Sequence, residues 1–229
     1  MDLRKRFAEL TTAHVVDACV RAQVPVRTVA LSAVLPGRVA GRVLPAKHVG
    51  SVDIFLEAFE SAEPGDVLVV DNGARRDEAC VGDLMALEAQ AAGIAGLVIW
   101  GLHRDTVELE AIGLPVYSLG AIPNGPLRLD PLPADALEAA TVGEWTVTRD
   151  DVVLGDEDGV VFIPAARVDE LLTLAESIRD TERRQASQIH AGTSLREQVR
   201  FDVYLAERAK NPTLTFREHL RAVRGAVEE

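Results

Sequence analysis

Three residues carry the clearest chemistry in this chain: Asp83, then after twenty intervening residues the adjacent pair Arg104 and Asp105. Asp105 can hold a hard divalent cation such as Mg²⁺ or Mn²⁺, which takes few protein carboxylates and keeps several waters. Arg104 offers a planar fork for a carboxylate or an enolate oxygen. Asp83 opens an Ala/Leu-rich run after Gly82, so the backbone N–H groups of Leu84 and Met85 form an anion pocket at a helix start. Cation, guanidinium and helix N-terminus around one cavity describe a site for a small 2-oxo acid. The competing reading is a surface ion pair whose aspartate caps a helix starting at Thr106. The chemistry alone leaves both open.

The elements between these residues bring them together. Gly93 ends the helix that Asp83 starts, Gly96 leads into the apolar run Leu97 to Trp100, and the chain turns at Gly101 before His103, Arg104 and Asp105. In an α/β unit, helix N-termini and strand C-termini share one edge of the sheet, so Asp83 approaches Arg104 and Asp105 in space. Around this unit the pattern predicts short helices over 2–10 and 12–22, the second capped by Thr12, and a strand over 38–44 with Gly41 as a bulge. A helix over 51–62, a buried strand over 66–71, a polar loop over 74–81, a helix over 106–112 and a strand over 115–118 follow. Residues 120–133 read as a surface loop with four prolines, and 142–153 as one or two strands. A further strand at 160–163 precedes the longest helix, 165–190. This alternation predicts an α/β fold over residues 1–192. Residues 193–229 read as a charged helical arm with too few apolar residues to pack alone, and so as an arm that packs on a neighbouring subunit.

Composition excludes several functions. A formal charge of −12, from 36 acidic and 24 basic residues, opposes a nucleic-acid or anionic-membrane surface. No apolar run approaches the ~18 residues of a membrane span, and the first residues lack a signal-like apolar core, so a cytoplasmic protein is expected. Cys19 and Cys80 form no motif. There is no Gly-x-Gly-x-x-Gly, Walker loop or Gly-x-Ser-x-Gly elbow, and no His-x-x-x-His pair. The turn Asp156-Glu157-Asp158-Gly159 lacks EF-hand spacing and reads as a solvated hairpin. His14 and Asp17 read as the polar edge of a packed helix, and His103 as a support for Arg104. Only Lys5, Lys47 and Lys210 are present, which disfavours Schiff-base catalysis.

The Asp-x20-Arg-Asp spacing, together with Pro64-Gly65-Asp66 through Asp71, Gly82-Asp83-Leu84-Met85, Pro115-Val116 and Asp158-Gly159-Val160-Val161, resembles the 4-hydroxy-4-methyl-2-oxoglutarate aldolase family. That family shares its fold with the regulator of ribonuclease E activity. The resemblance implies a compact layered α/β fold with a central β-core of the swivelling phosphohistidine-domain (β/β/α) type. It also implies homotrimers or hexamers with sites between subunits. It implies Asp105 as ligand of Mg²⁺ or Mn²⁺, Arg104 holding the pyruvyl oxygens, the Gly82–Met85 turn binding the oxo acid, and Asp83 acting through a water. Glu182, in the long helix, falls where the family places an acidic residue that reaches a neighbour's metal waters. The implied activity is a metal-dependent retro-aldol lyase that releases pyruvate from a 4-hydroxy-2-oxo acid and decarboxylates oxaloacetate. The alternative is a non-catalytic protein that inhibits a ribonuclease. A methyltransferase role finds no glycine-rich nucleoside loop. Two departures are Trp100-Gly101 with His103 before the Arg-Asp pair, and a longer tail containing Thr215 to Leu220.

Overall fold

The structure, a computed structural model, describes residues 3–223. Helices α1 (Leu3–Phe7) and α2 (Thr12–Arg21) lead into β1 (Arg27–Val29), β2 (Ser32–Ala33), β3 (Val39–Lys47), α3 (Asp53–Glu60), β4 (Val67–Asp71) and β5 (Ala79–Val81). Then come α4 (Asp83–Ala91), β6 (Gly96–Trp100), β7 (Leu102–His103), α5 (Thr106–Ile112) and β8 (Val116–Ser118). The hairpin strands β9 (Ala139–Val142) and β10 (Trp145–Thr148) are followed by β11 (Asp151–Asp156) and β12 (Gly159–Pro164). A 3₁₀ turn enters α6 (Val168–His190), and α7 (Leu195–Gln198), α8 (Phe201–Lys210) and α9 (Phe216–Val223) complete the described chain. These elements pack as two compact units. One contains residues 3–13 and 26–169, the other 14–25 and 170–223.

The first unit is a mixed α/β fold built on an eight-stranded sheet in the order β1-β12-β11-β3-β4-β6-β8-β2. Its centre, β3-β4-β6-β8, is parallel, because each strand is joined to the next by a crossover that includes a helix. The flanking pairs are antiparallel. Alternating residues on β4 serve two cores, as expected for a strand covered on both faces. Leu68 and Val70 pack with Ile54, Phe55 and Ala86 on the helical side. Val67 and Val69 pack with Val142, Val147 and Phe162 on the side of the β9–β10 hairpin. Burying side chains of this size contributes about 1.5–3 kcal/mol each. Gly41 keeps unbroken register with Val153, so the expected bulge is absent.

Two sequence expectations change here. Residues 79–81, read as part of a polar loop, form the buried strand β5, because Ala79, Cys80 and Val81 are the apolar end of an otherwise polar stretch. The acidic hairpin does turn between β11 and β12, but Asp156 is buried rather than solvated. Its carboxylate accepts the Thr12 N–H and hydroxyl, both at 2.7 Å, so it caps α2 from outside in place of the Thr12 side chain.

In the second unit, α8 and α9 of the tail bring aromatic rings together. Phe201, Tyr204, Phe216 and His219 form a cluster of rings 5.0–6.1 Å apart. Aromatic side chains bury a large area each, so four rings replace a longer aliphatic stripe. His219 Nε2 lies 2.7 Å from the Val199 carbonyl. Ser194 and Glu197 form a capping box at α7. Among the described residues no helix is long and apolar enough to cross a membrane.

Candidate active site

The pairing of β5 with β7 assembles the site. These two short strands run parallel, with Ala79 opposite Leu102 and Val81 opposite His103. The Arg104 N–H donates to the Val81 carbonyl at 3.0 Å, so the residues leaving each strand emerge side by side. Gly82 and Asp83 therefore meet Arg104 and Asp105. The Asp83 N–H donates to Asp105 Oδ2 at 3.4 Å. A Cβ on Gly82 would lie 2.3 Å from that oxygen and 3.2 Å from Arg104 Nε. A larger residue there would displace the Asp105 carboxylate from its place beside the start of α4.

Asp105 separates the two readings of the sequence. It occupies the N-cap position of α5, yet its side chain makes no cap hydrogen bond. Its backbone is left-handed, with φ 59° and ψ 44°, a conformation that costs most non-glycine residues about 1–2 kcal/mol and that aspartate tolerates better than most. The carboxylate instead faces the start of α4 and Arg104 Nε, at 3.4 Å. The Arg104 and Asp105 side chains are 47% and 35% exposed, so both remain reachable from solvent. A helix cap would have used the carboxylate locally; here α5 leaves it unused.

Asp83 lies in the first turn of α4, where a carboxylate is favoured by the helix dipole. Its Oδ1 accepts the Leu84 N–H at 2.7 Å. The anion pocket expected from Leu84 and Met85 together is thus smaller than the sequence implied, because the aspartate takes one donor. Asp83 and Arg104 border a cavity of about 230 Å³ whose other walls include Val52, Val81, Leu84, Met85 and Pro126. Cys80 also lines it, but burial pushes its thiol up to about 12, which rules out a thiolate nucleophile at neutral pH.

His103 supports this edge from behind. It is buried, with Nδ1 2.7 Å from Ser118 Oγ and Nε2 3.1 Å from Thr106 Oγ1. Burial lowers its pKa, so the ring is neutral and ties β8 to the first residue of α5. Glu182 belongs to the second unit, on α6, and lies 2.9 Å from His14 Nε2. His14, read as a bland polar edge, is thus its partner.

Sequence reasoning missed a second charged cluster. Arg128, in the proline-rich loop, donates through Nε and Nη2 to the buried Glu78 carboxylate at 2.9–3.2 Å. The same guanidinium reaches Asn72 Oδ1, the His48 carbonyl and Asp130. His48 Nδ1 lies 2.9 Å from Asn72 Oδ1, and its ring stacks on Phe55. This network pins the loop whose Gly125 and Pro126 lie against the Arg104 guanidinium and the cavity. Fifty residues separate Glu78 from Arg128, and no local pattern announces the pair.

Among the described residues, no three His, Cys, Asp or Glu side chains converge to enclose a metal. A zinc cage is therefore not built there. Two half-exposed carboxylates suit a hard divalent ion that keeps most of its water.

Comparison with known proteins places these residues in context. A Bacillus anthracis protein with the provisional name 4-hydroxy-4-methyl-2-oxoglutarate aldolase is 32% identical over 123 residues, covering 53% of this chain and 76% of that one. An uncharacterised Pseudomonas syringae crystal structure superposes with a TM-score of 0.72 at 24% identity, over 85% of this chain and 95% of that one. A Thermus RNA-processing inhibitor, RraA, gives 0.57 at 26% identity, over 65% and 90%. The RraA-like family description, aldolase/RraA, matches residues 12–162, which include Asp83, Arg104 and Asp105, and the chain belongs to that family.

Proposed function

We propose that this protein is a divalent-metal-dependent lyase that cleaves a 4-hydroxy-2-oxo acid to pyruvate and a carbonyl product, and that decarboxylates oxaloacetate at the same site. The observation that carries this reading is Asp105, whose strained backbone turns its carboxylate away from α5 and toward Gly82, Asp83 and Arg104. The family relatives named as aldolases support it.

Arg104 binds the carboxylate and 2-oxo oxygens of the pyruvyl end, and the first turn of α4 adds its positive dipole end. Mg²⁺ or Mn²⁺ held by Asp105 would supply Lewis-acid charge at the 2-oxo group. Asp83 positions the water that removes the 4-hydroxyl proton. The C3–C4 bond then breaks, C4 leaves as an aldehyde or ketone, and its electron pair becomes the pyruvate enolate. Arg104 stabilises that charge, and protonation at C3 gives pyruvate. With oxaloacetate the same bond breaks and carbon dioxide leaves. Lys47 pairs with Asp135 and does not line the cavity, so a Schiff base forms no part of this reading. Glu182 is assigned to the water shell of a neighbour's cation, in a homotrimer or hexamer. The test is pyruvate release from oxaloacetate and from 4-hydroxy-2-oxo acids, with Mg²⁺ and with chelator. Release that ignores the chelator would remove the metal-dependent reading.

A second reading, docking onto a ribonuclease, draws on the Thermus likeness and on Leu127 and Leu129, which are 101% and 77% exposed on the loop. Co-purification with a ribonuclease and inhibition of its cleavage, without pyruvate release, would favour it.

A further inference from the structure

His103 belongs to the stretch where the chain departs from the family pattern, and it leads directly into Arg104 and Asp105. Its ring is buried, yet both nitrogens face hydroxyls, with Nδ1 2.7 Å from Ser118 Oγ and Nε2 3.1 Å from Thr106 Oγ1. Hydroxyls both donate and accept, so either imidazole tautomer satisfies both contacts. Ser118 Oγ also accepts the Gly120 N–H at 3.1 Å. The His103 backbone is fixed as well: its N–H donates to the Gly120 carbonyl and its carbonyl accepts the Ile122 N–H, both at 3.0 Å. His103 and Thr106 are three residues apart, so the imidazole closes a ring around Arg104 and Asp105.

That ring constrains the backbone between β7 and α5. The Arg104 N–H is held by the Val81 carbonyl at 3.0 Å, and the Asp105 carbonyl accepts the Leu109 N–H of α5 at 2.9 Å. The turn between these anchors is made at Asp105, with φ 59°. The carboxylate's own contacts are weak holds on that conformation. Those to the Asp83 N–H and to Arg104 Nε are both 3.4 Å, beyond the usual range of an N–H···O bond, and the side chain is 35% exposed. A competing state is also at hand, because an aspartate before a helix ordinarily turns its carboxylate onto the N–H groups of the first turn. We propose that His103 and Thr106 are positioning residues, whose hydrogen bond keeps Asp105 left-handed and its carboxylate beside the start of α4 instead of capping α5. The consequence for a cation held by Asp105 rests on the aldolase reading and goes beyond it by naming what aims the ligand. Groups that orient a metal ligand without touching the metal commonly govern its affinity.

Thr106 is half-buried, so it can be changed with less risk to folding than the buried His103. Thr106→Val deletes the hydroxyl and keeps the branched shape, whereas Thr106→Ser keeps the hydroxyl. Crystal structures of the parent and both variants read the backbone at Asp105. Mn²⁺ titration followed by electron paramagnetic resonance reads affinity and number of sites separately. In Thr106→Val, Asp105 should leave the left-handed region, and the Mn²⁺ dissociation constant should rise about tenfold with the number of sites unchanged. Thr106→Ser should match the parent in both measurements. A left-handed Asp105 retained in Thr106→Val overturns the inference, and so do fewer sites of parental affinity, which mark a merely structural lesion. Oxaloacetate decarboxylation by the parent at saturating Mg²⁺ is measured alongside. A parent that binds no Mn²⁺ and leaves oxaloacetate intact removes the aldolase reading, while the Asp105 backbone in Thr106→Val still decides whether the bridge positions it.

Discussion

The same pair of groups, a guanidinium and a carboxylate, occurs twice in this fold and is used in opposite ways. Arg128 and Glu78 are joined by three contacts of 2.9–3.2 Å, with side chains 19% and 4% exposed. Arg104 and Asp105 share one contact of 3.4 Å, and both remain partly open to solvent. In the first pair nearly all hydrogen-bonding capacity is consumed inside the protein. In the second it is left over, and the backbone of Asp105 stands in a costly left-handed conformation. Adjacency in sequence does not make a strong ion pair; here the distant residues form the structural pair and the neighbours form the available one.

The largest expected effect is on the structural pair. Glu78→Ala leaves the Arg128 guanidinium without its main partner in a low-dielectric site, and a broken buried pair of this kind destabilises by about 3–5 kcal/mol. Urea denaturation followed by circular dichroism should show a midpoint lowered accordingly. A loss below about 1 kcal/mol would mean that the pair behaves like a surface bridge.

Next is the available pair, whose loss should be read in turnover. Arg104→Lys keeps the charge but removes the fork, and loss of one such charge-stabilising group lowers turnover by about 100–1,000-fold. Stability should change by no more than about 1 kcal/mol. Oxaloacetate decarboxylation by the folded variant at near wild-type rate would place the site elsewhere and erase the contrast between the two pairs.

The contrast also explains what could be read from the sequence. The parallel core was legible because 67–70 and 97–99 are continuous apolar runs separated by helical periodicity, and both faces of those strands are indeed covered. Asp83, Arg104 and Asp105 were legible because a glycine precedes each group at an element boundary. Their meeting was foreseen from general α/β geometry, yet the immediate cause is β5, a three-residue strand too short to carry a periodic signal. The Glu78–Arg128 network was invisible for a different reason. Its members come from a polar stretch and a proline-rich loop, and only tertiary folding buries them. The conformation of Asp105 was equally hidden, since an aspartate before a helix ordinarily predicts a cap.

A smaller effect separates the two regions by pH. His48 stands in the structural network and His103 behind the site, and burial holds both pKa values below the ordinary 6.5. Each therefore takes up its proton at a lower pH in the folded protein than in the unfolded chain, which binds one as pH falls through that value. Stability should be full above about pH 7 and decline below it, by at most about 1.4 kcal/mol per pH unit for each histidine. Urea midpoints between pH 7.5 and about 5.5 measure this, and His103→Gln should flatten part of the slope. A midpoint that rises on acidification would mean that these rings gain a stabilising charge instead.

The smallest effect tests whether Asp105 is strained for the sake of the site. Asp105→Ala and Asp105→Gly both delete the carboxylate, so both lose the contact to the Asp83 N–H and both should lose turnover. They differ only in backbone preference at φ 59°. Alanine suffers the clash between Cβ and backbone in the left-handed region, whereas glycine does not, although glycine gives up more chain entropy on folding. The glycine variant should therefore be the more stable of the two by about 1 kcal/mol, and close to the parent protein. A thermal melt of the three proteins decides the matter, since a difference of that size is a shift of a few degrees in Tm for a chain of this length. If alanine equals glycine, the backbone at Asp105 relaxes once the carboxylate is gone, and the carboxylate's own contacts hold it left-handed. If both variants are much less stable than the parent, Asp105 is a structural residue after all, and it resembles Glu78 more than its neighbour Arg104.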